Sequence, residues 1–393
     1  MKTEALGVHM PVTIKTITPL HIGSGEVLSP LADYWMDDKK NIHLINQDAF
    51  SQLIQKKNRT NEYVKFATAI ANENKTNALS NFAKTFLDEE ISALSEKIIF
   101  KSFGINNPIK IDCCLQTEGK PFVPGSSLKG AIKTILLLNW LNSGEEESDN
   151  ILDKFLDALN EAVVNNNTWK VEESYIHDVE EKLFGVLKGN ARMPASCLRI
   201  PDTNSIELSD IVIYKVDRFN LFKAETADSS ISVLKQCIPK QYAFQTSIYL
   251  DFYSVKKQEH HFAFREITSK QKLFATINKA SLSVLEHEYF IMSSNKVTAR
   301  LKEYDSHLGR IKSAIEESNN QKAFLRLGFG KLQFYQTIAL SILKYFDYDD
   351  ENREWNNYLR YCNKFKKDIS SFYPVTRVLT SIGQEPLGWV ELS

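Results

Sequence analysis

Pro121-Phe122-Val123-Pro124-Gly125-Ser126-Ser127-Leu128-Lys129-Gly130 is the stretch on which the reading of the fold turns. Prolines and a glycine end an extended run, and from Leu128 to Leu141 the composition becomes strongly helical. A strand is expected at Ile109 to Leu115, leading in through the turn Thr117-Glu118-Gly119-Lys120. Ser126 or Ser127 is the natural N-cap. The unpaired N–H groups and macrodipole of a helix start make an anion site, and Lys129 and Lys133 share one face at i,i+4. A phosphate fits there; a capped helix with two solvated lysines explains the same residues. Gly125 and Gly130 have P-loop spacing, but Ala131 and Ile132 stand where that motif needs Lys and Ser or Thr, which disfavours an NTPase.

Upstream, Val12 to Ile17 alternates as a half-buried strand and runs into the loop Thr18-Pro19-Leu20-His21-Ile22-Gly23-Ser24-Gly25. Glycines there permit close backbone approach, and His21 is a group that titrates near neutrality. Local packing of a histidine beside a glycine turn is the alternative reading. Tyr34 to Leu44 reads as a hairpin about Asp37-Asp38-Lys39-Lys40-Asn41. Asn46 to Phe100 reads as helices, with the polar segment Ala71 to Thr76 joining two of them.

Downstream, Ser143 to Asn150 reads as a solvated acidic loop before a helix at Ile151 to Val164. Strands follow at Ile211 to Phe219 and Ala243 to Tyr253, then a helix near Gln271 to Glu286. Phe324-Leu325-Arg326-Leu327-Gly328-Phe329-Gly330-Lys331 is a second glycine loop, before a helix at Tyr335 to Tyr345. The tail Lys344 to Lys367 interleaves Arg353, Arg360, Lys364, Lys366 and Lys367 with Trp355, Tyr358, Tyr361 and Phe365. Such a mixture pairs phosphates and stacks bases, or forms an amphipathic helix with its aromatics inward.

Over 393 residues, 43% hydrophobic and 25% charged, two domains in an α+β class are expected. With 48 Lys plus Arg against 49 Asp plus Glu, the net charge of -1 gives no global attraction to nucleic acid, so local patches must supply it. Five cysteines without CxxC spacing suggest neither disulfides nor structural zinc, and fit a reducing cytoplasm. Met1 to Val12 lacks a signal-peptide pattern, and Ile135 to Leu138 is far too short to cross a bilayer. Asp33, Asp37 and Asp38 raise metal-assisted phosphodiester cleavage, but a polar turn explains the latter two more simply. His260-His261 and Glu286-His287-Glu288 lack ligand spacing and read as surface.

Taken in order, the loop Thr18 to Gly25, the segment Pro121 to Gly130 and Leu325-Arg326-Leu327-Gly328-Phe329-Gly330 resemble the RAMP proteins of type III CRISPR systems. Glu385-Pro386-Leu387-Gly388-Trp389-Val390, preceded by Pro374-Val375-Thr376-Arg377, resembles the carboxy-terminal signature of the capping subunits of type III-A (Csm) complexes rather than of their backbone siblings.

The resemblance implies modified ferredoxin-like or RRM-like units with antiparallel sheets: residues 1–205, with helical insertions near 46–100 and 140–190, and residues 206–393, with the second glycine loop and terminal helices. It implies binding of the 3′, spacer-derived part of a crRNA, stacking on the last RAMP backbone subunit, and guide maturation through recruited cellular ribonucleases. No catalytic residue, metal, cofactor or membrane is implied. The RNA-binding residues carried over are His21, Gly23, Ser24, Gly25, Ser126, Ser127, Lys129, Lys133, Arg326, Gly328, Gly330 and Lys331. Backbone siblings cut target RNA with a loop aspartate, but the context of Asp33 does not match and that activity is not transferred. The alternatives are a metal-independent RAMP endoribonuclease, with His21 as acid or base and Lys129 or Lys133 stabilising charge, or the subunit at the 5′ tag.

Overall fold

The computed structural model describes residues 7–70, 78–165, 169–174, 179–184, 195–221, 232–251, 264, 267–293, 301–331, 335, 338–345, 353–362 and 375–393. Strand β1 (Gly7–Thr16) buries Met10, Val12, Ile14 and Thr16 on one face, the period-two pattern of a half-buried strand. After β2 (Gly23–Leu28) comes the expected hairpin, β3 (Tyr34–Met36) and β4 (Ile42–Ile45). Its turn is held by Asp37, whose carboxylate accepts from the Asn41 backbone N–H at 2.8 Å and side-chain amide at 2.9 Å.

Helices α1 (Gln47–Lys56), α2 (Thr60–Ile70) and α3 (Ala78–Phe82) follow, α1 capped by Asn46, which accepts from the Ala49 N–H at 2.9 Å. Phe50, Ile54, Leu79, Phe82 and Leu87 form a satellite core beneath them. The joint at Ala71 to Thr76 lies outside the described residues. The helical reading fails before Phe100, because Ser95–Phe103 is strand β5. The run Ile98-Ile99-Phe100 suits either element, and pairing with β4 and a later strand decides it.

Strands β6 (Ile111–Cys114), β7 (Gln116–Thr117) and β8 (Lys120–Pro121) lead to α4 (Gly125–Leu141), α5 (Glu146–Asn165), α6 (Trp169–Ser174) and α7 (Glu181–Phe184). The acidic segment read as a loop is largely the first turn of α5, where Glu146, Glu147 and Asp149 oppose the positive helix end. Next come β9 (Leu198–Arg199), β10 (Val212–Asn220), β11 (Val233–Cys237), β12 (Ala243–Asp251), α8 (Lys270–Met292), α9 (Lys302–Glu317) and β13 (Ala323–Arg326). The chain finishes with α10 (Ala339–Tyr345), α11 (Arg353–Cys362), β14 (Thr376–Thr380) and β15 (Trp389–Leu392).

These strands make an α+β fold with two main sheets. The five-stranded sheet, β13-β15-β1-β12-β9, is antiparallel throughout. The eight-stranded sheet runs β2-β6-β11-β10-β5-β4-β3, with β14 also on β10; its β6–β11 and β5–β10 joins are parallel. Each sheet takes strands from both sides of residue 205. One large apolar core joins both sheets to α4, α5, α8, α9 and α10.

The surface reading of Glu286-His287-Glu288 is corrected. Glu286 is exposed, but His287 and Glu288 are buried, and Glu288 forms a bidentate ion pair with Arg377 on β14. Apolar neighbours four residues away on α8 hide the acid, and its countercharge lies 89 residues away. His260 and His261 lie outside the described residues. In the tail, Tyr358 and Leu359 are buried and Asn357 donates to Asn160 on α5 at 2.7 Å, as the amphipathic reading requires. The side chains of Arg353 and Trp355, and residues Lys364 to Lys367, lie outside the described residues.

Candidate functional site

The two glycine loops and the carboxy-terminal segment, more than 300 residues apart at the extremes, meet around His21. The Phe329 N–H donates to the His21 carbonyl at 2.8 Å. The Gly388 N–H donates to the Pro19 carbonyl at 2.9 Å, and the Leu327 N–H to the Gly388 carbonyl at 2.7 Å. Trp389 completes the clasp: its N–H donates to the Thr18 hydroxyl at 2.9 Å and its carbonyl accepts from Ile17 at 2.9 Å. Gly328 (φ +65°) lies so close to the His21 carbonyl that a Cβ would stand 2.1 Å from that oxygen.

His21 is 2% exposed. Its Nδ1 lies 2.7 Å from the Gln236 carbonyl and its ring meets Phe329 edge-on at 5.9 Å. Lys235 sits over Phe329 at 3.9 Å and is ion-paired with Asp112. Burial holds the His21 pKa down at about 4, with the Gln236 hydrogen bond opposing and Lys235 assisting. The ring is therefore neutral at pH 7, with Nδ1–H donating to Gln236. Arg326, also buried, donates from Nε (3.1 Å) and Nη2 (2.9 Å) to the Leu387 carbonyl, and from Nη2 (2.9 Å) to that of Gly330. These two side chains hold the loops together. Around them Gly23, Ser24, Gly25, Gly328, Gly330 and Lys331 are each at least partly exposed.

The segment Pro121 to Gly130 lies elsewhere, against residues 200–206. Helix α4 starts at Gly125, so neither Ser126 nor Ser127 is its N-cap; Pro124 holds that position without a side-chain bond. The Asp202 carboxylate instead takes the Gly125 N–H at 2.7 Å. A Cβ on Gly125 would stand 2.0 Å from the Ile200 carbonyl oxygen, so the glycine permits that clasp. A carboxylate already fills the helix end proposed for a phosphate. Basic character lies one turn on: Lys129 is half-buried, with its pKa lowered by burial and by Lys133, and Arg199 is close by. Lys133 pairs with Glu180 at 3.4 Å and lies over the Phe184 ring at 4.9 Å. Ser126 and Gly130 are exposed, and nothing lies within 4 Å of a Cβ placed on Gly130.

Among the described residues, no cluster of three His, Cys, Asp or Glu side chains could hold a metal ion. Asp33 is engaged locally, accepting from the Ser29 N–H at 2.7 Å. No described helix is long and apolar enough to cross a membrane.

The buried histidines carry a pH signature. His287, like His21, is held at about 4 by burial, Glu288 opposing and Arg377 assisting. Unfolding releases each to an ordinary value of about 6.5, so the unfolded chain binds more protons between those values. Stability is then full above about pH 6.5 and falls with acidification, by about 2 kcal/mol per histidine at pH 5. Urea midpoints at pH 7.5, 6 and 5 should show this decline, and His21→Gln or His287→Gln should each flatten it. A pH-independent midpoint would contradict the assignment.

A model of the RAMP superfamily matches residues 13–333. The protein Csm5 of a CRISPR system in Methanocaldococcus jannaschii is 30% identical over 163 residues, a match covering 37% of this chain and 35% of that protein. A chain in the cryo-EM structure of a type III-A Csm-crRNA-target RNA ternary complex superposes with a TM-score of 0.69 at 18% identity, covering 98% of this chain and all of that one. The crystal structure of T. onnurineus Csm5 gives 0.63 at 18% identity, covering 96% and 99%. The expected α+β fold and the family resemblance are therefore both met, and the chain belongs to the RAMP superfamily.

Proposed function

We propose that this chain is a Csm5-type, non-catalytic subunit of a type III-A effector complex, binding the 3′, spacer-derived part of the crRNA and capping the row of backbone subunits. The observation that carries this reading is the convergence of both glycine loops and the carboxy-terminal segment on His21, with the glycines of both loops and Lys331 at least partly exposed. Glycine backbones admit close approach of a sugar-phosphate chain, and contact through backbone and phosphate suits spacers of varied sequence. Similarity to Csm5 and to a chain of a Csm-crRNA-target RNA complex supports the assignment. On this reading residues 1–205 and 206–393 are two RRM-like units interleaved in common sheets, the protein is cytoplasmic, and maturation proceeds through cellular ribonucleases.

The test is purification of the tagged protein from its host, sequencing its RNA and identifying partners before and after ribonuclease treatment. Spacer-bearing crRNAs with Csm subunits, and loss of 3′ trimming on deletion, are expected. Location at the 5′ tag would overturn the capping role. Cleavage of naked repeat RNA that survives a chelator and vanishes in His21→Ala would replace it with a nuclease.

Lys129→Ala combined with Lys133→Ala should weaken crRNA retention by about tenfold in moderate salt, with a shallower salt dependence, because each phosphate contact is modest and screened. An unchanged salt slope would place the RNA away from α4.

A further inference from the structure

Phe103 on β5 and Tyr214 on β10 are register partners in a parallel join, with rings stacked at 5.3 Å and 26°. Phe103 is 46% exposed and Ile99 47%. Lys101 lies between them on the same face, exposed and in no ion pair among the described residues. The intervening Phe100 is fully buried, so this strand gives one face to the core and leaves the other open.

The open face ends at Tyr214, where the buried cluster beside the site described above begins. Tyr214 packs with Phe329 and Val378 around Val216, Cys237 and Leu387, and Lys235 lies on the Phe329 ring. The exposed strip thus carries two stacked rings and one exposed lysine, Lys101, and its Tyr214 end adjoins the second glycine loop through Phe329. A purely apolar protein contact would have no use for a lysine between exposed Ile99 and Phe103. A single nucleic-acid strand, with flat bases and a phosphate at every step, matches both.

We propose that Phe103 and Tyr214 form a base-stacking platform for single-stranded RNA, with Lys101 pairing the adjoining phosphate. This rests on the RNA-binding reading and extends it from the glycine loops onto the open face of the large sheet. Stacking requires a π-face rather than bulk, and it tolerates any base, as a guide of variable sequence demands.

The experiment uses the full chain and a labelled single-stranded oligouridylate, with affinity measured across a salt series. Phe103→Ala and Phe103→Leu should each weaken binding by about tenfold, while Phe103→Trp retains it. Lys101→Ala should make the salt slope shallower. Because Phe103 is half-exposed and stacked on Tyr214, Phe103→Ala should lower the unfolding midpoint, so the comparison rests on Phe103→Leu and Phe103→Trp, which keep most of its bulk. In the assembled complex, 4-thiouridine placed along the crRNA should crosslink to peptides containing Phe103 or Tyr214. Wild-type affinity in Phe103→Leu, or crosslinking of this face to another subunit instead of RNA, overturns the platform while leaving RNA binding elsewhere intact. If the wild-type chain and its complex hold no RNA, both the platform and the proposed function fall.

Discussion

Arg377→Met is expected to destabilise the fold by about 3–5 kcal/mol, the cost of leaving a buried charge without its partner. Arg377 and Glu288 have no side-chain exposure, and they meet through two parallel bonds, Nε to Oε2 at 2.9 Å and Nη2 to Oε1 at 3.0 Å. The Tyr304 hydroxyl donates to Glu288 Oε2 at 3.0 Å. With the guanidinium gone, one phenol is a poor replacement for a countercharge in a low-dielectric interior. Glu288→Gln should be costly for the converse reason. The double variant Arg377→Met, Glu288→Leu should recover much of the loss, since apolar pairs of similar volume often match buried ion pairs. Denaturant midpoints decide the matter: a single variant within about 1 kcal/mol of wild type, or a double variant as unstable as the sum, would refute the account. The pair ties β14, and through it the eight-stranded sheet, to α8, which packs on β13 of the five-stranded sheet. Its loss should therefore loosen the contact between sheets rather than one strand.

That ion pair also shows why part of the structure was illegible in the sequence. The hairpin at Tyr34 to Leu44 was readable because Asp37 and Asn41, which shape its turn, are local. Helices α4, α5 and α8 were readable from composition and period, though their ends shifted by several residues. The N-cap of α4 was misread because Asp202, 77 residues on, outcompetes two local serines. Strand β11 is not legible in the sequence because its five residues acquire meaning only between β6 and β10. The glycine loops stood out individually, but no spacing announces that Phe329 will bond His21. A signal for the aromatic platform was present: Ile99, Lys101 and Phe103 alternate about buried Phe100. The helical composition of the residues before it masks that period of two.

Gly328→Ala should be the most damaging small substitution in the glycine loops. Its φ of +65° carries a penalty of about 1–2 kcal/mol for any L side chain. The new Cβ would also lie 2.1 Å from the His21 carbonyl oxygen and 3.0 Å from its carbon. Those are backbone atoms, fixed by the Phe329 hydrogen bond, so relief requires the two loops to part, adding an overpacking cost of about 1–3 kcal/mol. Gly388→Ala should behave alike, because its φ is +86° and its Cβ would meet the Leu327 carbonyl oxygen at 2.1 Å. Gly330→Ala and Gly25→Ala separate the two contributions. Both positions have positive φ, yet the nearest atom to a Cβ on Gly330 is Leu387 Cβ at 3.4 Å, and nothing lies within 4 Å of one on Gly25. These two should lose only the conformational part. Denaturation of the four variants should therefore split into two pairs, the clashing pair lower by roughly the overpacking cost. Four equal midpoints would mean that the loops yield without resistance, and the clasp around His21 would then be too soft to fix an RNA-facing surface. If the pairs separate, the proposed function expects crRNA retention to fall in the clashing pair even below the unfolding temperature, because the two loops keep their relative placement only while they are joined.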